Sequence, residues 1–252
     1  MNMIRADDAI ISPIPGDRPG SIGPRCAMVG NPKDVDDVCA LADLTRKNSR
    51  RLFLSKLYYT PAVLPGYSVI GSFIGAPYAV MLLETAITWG VREMIFFGWC
   101  GSVSPEVQVG DIIVPDLAMI DEGTSANYLP PDTIESRPSY SLQNHLKKKM
   151  RERNIRFQEG AVWTTDAIFR ETQPKIAFYQ KKGALCVDME TSALFSVGLF
   201  RNIRIGCVLV VSDQVSAGKW VQGFAHPKFK ISRQQAGAIV CDFLTSKKSF
   251  LS

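Results

Sequence analysis

The chain has 252 residues, 46% of them hydrophobic and 21% charged, with a formal net charge of +5. That length holds one α/β domain or two small ones, and the apolar share is ordinary for a globular protein. No fixed-period repeat, low-complexity tract or linker divides the sequence, and no apolar run is long enough to span a membrane.

The elements follow in chain order. Residues 1–23 are rich in Pro and Gly and are expected as an extended N-terminal arm. They carry early acids and no continuous apolar run, so they do not read as a secretory signal. Residues 24–252 are expected as a single domain. Arg25–Gly30 reads as the first core strand. Asp34–Arg46 reads as a helix, with Val35, Val38, Leu41 and Leu44 at helical spacing. Pro61–Pro65 marks a loop and Tyr67–Ser72 a short strand. A helix over Tyr78–Trp89 is closed by Gly90. Glu93–Phe97 is a buried strand, with a tight glycine-rich turn expected after it, and Asp111–Met119 is another strand. An amphipathic helix is expected over Ser139–Asn154, a strand over Ala161–Thr164 and a helix over Lys175–Lys182. The strands Ala184–Val187 and Ile205–Val211 flank a helix over Glu190–Leu199, and Ser232–Thr245 closes the chain as a helix. Alternating strands and helices predict an α/β fold, a mostly parallel or mixed sheet covered on both faces. No G-x-G-x-x-G follows the first strand, which sets a dinucleotide-binding Rossmann domain aside.

Composition narrows the function further. The six cysteines, at 26, 39, 100, 186, 207 and 241, form no C-x-x-C pair. They read as reduced core residues of a cytoplasmic protein, not as a disulfide frame or a metal site. The basic runs LKKKMRER (146–153) and KK (181–182) have no aromatic residues interleaved. They read as solvated helix faces in preference to a nucleic-acid surface, and are also compatible with attraction of an anionic small substrate.

The chemistry concentrates at strand ends. LCVDME (185–190) ends a buried strand in Asp188, Met189 and Glu190, and IGCVLVVSD (205–213) ends a second in Ser212 and Asp213. Strand carboxyl ends are where open α/β sheets bind ligands. One acid can hold a sugar diol, and another can donate a proton to a leaving group. The competing reading is that Asp188 and Glu190 only cap and charge a helix N-terminus.

Three further blocks accompany these acids: VGNPKDV (29–35), GSFIGAPYA (71–79) and FFGWCGSVSPEVQVGDIIVP (96–115). With DEGTSANYLP (121–130), in this order and spacing, the set resembles the nucleoside phosphorylase superfamily. That family contains the hexameric purine nucleoside phosphorylases, the uridine phosphorylases and the methylthioadenosine nucleosidases. The resemblance runs from about Cys26 to Gly237 and implies a single domain with a central mixed, partly barrel-like sheet flanked by helices. It implies a nucleoside substrate, no cofactor and a homo-oligomer, either a dimer or a trimer of dimers. It places Glu190 on the ribose 2′- and 3′-hydroxyls, Met189 under the sugar, and Asp213, with Ser212, beside N7 of a purine-type base. Trp163 stands where the family carries an aromatic residue against the base, with a core tryptophan as the alternative. Arg170 either reaches the base or pairs with Glu171.

The phosphate site departs from the family. Gly30 is followed by Asn31-Pro32-Lys33-Asp34, so an acid stands in place of the family's arginine. Phe96 replaces a second arginine and Trp99 a small hydroxyl residue. Each lost charge-assisted hydrogen bond is worth about 1.5–3 kcal/mol. Asp34 is therefore expected either to activate water, as in the hydrolytic branch, or to sit at a helix N-terminus. Asn127 occupies the place of a histidine that reaches the neighbouring subunit's site in many relatives. The expected reaction is hydrolytic cleavage of a purine-type nucleoside. A phosphorylase with a rebuilt phosphate site and a non-catalytic nucleoside-binding module stand as alternatives.

Overall fold

The computed structural model describes residues 9–15, 22–60, 66–216 and 218–246. The expected Pro61–Pro65 loop and most of the expected arm lie outside the described residues. Within the arm, Ile14 accepts a hydrogen bond from the Trp89 indole at 2.9 Å.

The strands are β1 (Arg25–Val29), β2 (Ser49–Leu52), β3 (Ser55–Tyr59), β4 (Tyr67–Gly71), β5 (Glu93–Ser102), β6 (Ile112–Asp121), β7 (Glu135–Ser136), β8 (Gln158–Thr165), β9 (Ala184–Asp188), β10 (Arg204–Gln214) and β11 (Val221–Gln222). The helices are α1 (Pro32–Leu41), α2 (Ala76–Thr88), α3 (Tyr140–Glu152), α4 (Gln173–Lys181), α5 (Thr191–Arg201) and α6 (Pro227–Thr245). They form one α/β domain around a mixed sheet of order β11-β10-β6-β8-β9-β5-β1-β4-β3-β2. β10 also pairs with β5, so β5, β10, β6, β8 and β9 curl into a partial barrel from which the other strands extend.

Both faces of the sheet are covered, as its near-continuous apolar strands require. Leu82, Leu83 and Ala86 of α2 pack with Leu194 and Val197 of α5 on one side. Val35 and Val38 of α1, Leu142 and Leu146 of α3, and Ile239, Val240 and Phe243 of α6 fill the other. Helix starts follow local chemistry. Pro32 opens α1 behind Asn31, whose Oδ1 accepts from the Lys33 amide at 3.0 Å. His226 caps α6 in the same way, ahead of Pro227, so this helix begins five residues before the expected Ser232. A proline at the first helical position lacks only an amide that would be unpaired there.

The glycine-rich turn expected after Phe97 is not a turn. β5 continues straight to Ser102, because β10 pairs alongside it from Glu93 to Ser102. Its other edge changes partner on the way. β1 pairs with Glu93–Phe97, and β9 takes over at Gly101 and Ser102. Gly98, Trp99 and Cys100 lie between the two partners, and the sheet opens there.

Candidate active site

The opening is a cavity of about 630 Å³. Its walls are strand ends: Gly30 and Asn31 after β1, Gly98–Gly101 in mid-β5, Val187–Glu190 at the end of β9, and Ser212 and Asp213 on β10. Loop residues Phe73, Ile74, Glu171, Trp220 and Phe224 complete it. This is the carboxyl-end crevice where such sheets place ligands.

Asp188 and Glu190 have separate jobs, and the capping reading holds for Asp188 alone. Asp188 is buried and its Oδ2 accepts from the Thr191 amide at 2.9 Å and the Thr191 hydroxyl at 2.6 Å, while Thr164 donates to Oδ1 at 2.7 Å. Burial raises its carboxyl above the ordinary value, with those donors opposing. It fixes the start of α5 and joins β8 to β9. Glu190 stands at the α5 N-cap but makes no side-chain cap bond. Its Oε1 accepts instead from the Gly75 amide at 2.5 Å. Gly75 has φ +87°, a left-handed conformation that favours glycine, and this aims its N–H across the cavity. Desolvation, then the neighbouring Asp188 charge, push the Glu190 carboxyl up to about 8. Met189 lies half-buried beside it.

Asp213 is set by a bulge. The β10–β5 register shifts between Val211 and Asp213, so Ser212 is the extra residue. Bulges of this kind re-aim side chains beside sites. Asp213 Oδ1 accepts from the Ser212 hydroxyl at 2.6 Å and Oδ2 from the Trp220 indole at 2.8 Å.

Seven of the ten predicted site residues meet in the cavity: Gly30, Phe96, Trp99, Met189, Glu190, Ser212 and Asp213. Three do not. Trp163 is fully buried on β8, stacked on Tyr179 of α4 at 4.3 Å, with its indole N–H donating to Asp121 at 2.9 Å. Strand alternation decides this: Thr164 points to Asp188, so Trp163 points to the α4 side. Arg170 is exposed at the end of a short 3₁₀ turn (Ile168–Arg170) and does not line the cavity.

Asp34 also lies outside the cavity, and its carboxylate is already engaged. It is 2% exposed, with Oδ1 accepting from Arg233 Nε at 2.8 Å and Arg233 Nη2 a further ion-pair contact at 2.6 Å. Its Oδ2 accepts from the Trp99 indole at 2.7 Å. Burial raises its carboxyl, with Arg233 opposing. An aspartate on the first turn of α1 faces α6, not the sugar site. Its part is to hold Trp99, whose ring is boxed by Phe224, Phe229 and the Arg233 guanidinium.

Sequence reasoning passed over Glu171, Phe73, Trp220 and Phe224. Glu171 directly follows Arg170, and it is the acid of that pair that enters the cavity. Trp220 and Phe224 sit in a loop otherwise rich in small and polar residues, just after Asp213. An exposed aromatic placed there is the one signal that pointed to them.

Among the described residues the lining includes four carboxyl groups, Glu171, Asp188, Glu190 and Asp213, and no Lys, Arg or His. Elsewhere the basic helix α3 is paired within the chain: Lys147 with Glu159, Lys149 with Glu152, and Arg153 with Asp242. Among the described residues no helix is long and apolar enough to cross a membrane.

Residues 24–245 match the sequence profile of the Phosphorylase superfamily, and the chain belongs to that family. A DeoD-type purine nucleoside phosphorylase from Shewanella baltica is 27% identical over 153 residues, 60% of this chain and 65% of its own length. The chain thus spans just under two thirds of that relative. Among solved structures, uridine phosphorylase from Vibrio fischeri superposes with a TM-score of 0.76 at 21% identity, covering 89% of this chain and 93% of its own. AMP nucleosidase from Bacteroides thetaiotaomicron gives 0.72 at 20% identity, covering 90% and 92%. These two likenesses establish the fold.

Proposed function

We propose that this protein cleaves the N-glycosidic bond of a purine-type nucleoside and passes the sugar to water. One observation carries the choice of acceptor: a cavity walled by four carboxyl groups has no cationic lining residue among the described residues. A phosphate dianion bound there would meet a wall of carboxyl groups and no cationic side chain. Phe96 and Trp99 occupy the positions where the family's phosphate ligands are expected, and Asp34 and Arg233 neutralise each other behind Trp99.

The same wall suits a sugar that becomes cationic. Glu190, aimed by Gly75, can hydrogen-bond two vicinal hydroxyls, and the positive charge that develops on an oxocarbenium-like ribosyl group favours its ionised form, which then stabilises that group. A ribosyl cation of this kind needs only a weak nucleophile. Asp213 lines the same cavity, and a carboxyl group there can serve the departing base. Protonating a ring nitrogen lets the base leave neutral, an effect worth about 10²–10⁴-fold. The aromatic rings of Phe73, Trp220 and Phe224 give an apolar surround for a flat base.

Product analysis tests this reading. Purine nucleosides incubated with the protein should release free ribose at a rate independent of added phosphate. Saturable stimulation by phosphate, with ribose 1-phosphate as product, would establish phosphorolysis, the reaction named for several relatives, in its place.

A further inference from the structure

Asp213 and Glu171 line the same cavity, close enough for the Asp213 charge to act on Glu171, and their surroundings differ. Both Asp213 oxygens accept hydrogen bonds, from Ser212 and from Trp220. The half-buried Glu171 carboxyl has no hydrogen-bond donor among the described residues and sits beside the apolar Ile168, Phe169 and Val215 in the cavity wall. The charged group that acts on it is an acid, Asp213 on β10, and the other ionisable lining residues, Asp188 and Glu190 at the β9–α5 junction, are acids too. Its chain neighbour Arg170 is exposed and outside the wall. Of two neighbouring carboxyls in one apolar pocket without a cation, the one that lacks hydrogen-bond donors is the one that keeps a proton.

We propose that Glu171 is the catalytic acid, and that the proton passed to the departing base resides on its carboxyl group, with Asp213 as the neighbouring carboxylate that keeps it there. This rests on the cleavage reading above and deepens it. In the step, the C1′–N bond breaks and its electron pair stays on the base. The Glu171 O–H bond breaks as a new N–H bond forms. Water adds its oxygen to C1′, and the proton it releases restores Glu171. Burial and then the Asp213 charge raise the Glu171 carboxyl to about 7, near the optimum for an acid working at neutral pH.

The test compares guanosine, whose base needs a proton to leave, with 7-methylguanosine, whose base is already cationic. Glu171→Gln should lower kcat on guanosine at least about tenfold, and on 7-methylguanosine less than about threefold. The unmodified protein should lose kcat/KM on guanosine as pH rises through about 7, and that limb should vanish in Glu171→Gln. Asp213→Asn should move the limb to lower pH, because the charge that raises Glu171 is gone. Equal losses on both substrates, or no loss on guanosine, overturn the proposal. If the unmodified protein cleaves neither nucleoside, the cleavage reading fails. Difference infrared spectra of the unmodified protein and Glu171→Gln then decide the remaining claim. A protonated carboxyl band lost between about pH 6 and 8 in the unmodified protein alone supports Glu171 as the proton's holder, and its absence refutes that.

Discussion

Glu190 and Asp188 are two residues apart, and their difference decides what the site can do. Asp188 spends both oxygens on the protein, whereas Glu190 keeps one oxygen for a ligand. Holding Glu190 ready has a cost that pH reveals. Its carboxyl is raised to about 8 in the fold, against an ordinary value near 4.5. The folded state therefore binds this proton more tightly than the unfolded chain. The associated stability is complete below about pH 4.5 and is lost as pH rises through about 8. Glu190→Gln should then raise the unfolding midpoint relative to the unmodified protein at about pH 9 and not at pH 4. The gain at pH 9 should be at least about 1 kcal/mol, or roughly 2–4 °C, read by thermal denaturation. The same variant should bind nucleoside more weakly. Asp213→Asn keeps shape and, by removing the charge that helps hold the proton on Glu171, should lower turnover on a purine nucleoside at about pH 7 and above, with little change in binding. Wild-type turnover would make Asp213 structural.

At the scale of elements, α6 does more than close the fold. Arg233 reaches from it to Asp34 of α1, and together they position Trp99 of β5. Three elements thus define the floor of the cavity through one buried ion pair. Such a pair adds little net stability, but removing one partner strands the other charge, at a cost of about 3–5 kcal/mol. Arg233→Met should produce a loss of that size in chemical denaturation. Arg233→Met combined with Asp34→Asn should recover much of it. The strand–helix order was legible in the sequence because apolar runs and periodic helices announce themselves. The short hairpin β2–β3 was not, since Ser49–Tyr59 is interrupted by charges and carries little apolar alternation. The continuation of β5 through two glycines was also hidden, because only pairing with β10 holds that segment extended.

At the scale of the whole molecule, the cavity mouth is unusually apolar. Ile74, Phe169 and Trp220 are 71%, 96% and 59% exposed around it. A rim of large apolar side chains is an interaction surface more often than a solvated one. With the family membership, this supports the expected homo-oligomer, at least a dimer. Light scattering at micromolar concentration should give a mass of at least two chains, and Phe169→Glu should shift it toward one. A monomeric mass for the unmodified protein would end the idea.

The sequence by itself determined the fold class, the family and the two strand ends that carry Glu190 and Asp213. Those depend on local chemistry: apolar runs, glycines and acids at fixed spacing. Only the tertiary structure decided which acids line the cavity. Asp34 looked free because its partner, Arg233, is 199 residues away along the chain. Trp163 looked available because a one-residue step along a strand reverses the face, and sequence alone does not say which face is open. Glu171 looked incidental because its meaning comes from Asp213, on another strand. Burial and pairing are set by neighbours in space, and these brought four scattered carboxyl groups to the wall of one cavity.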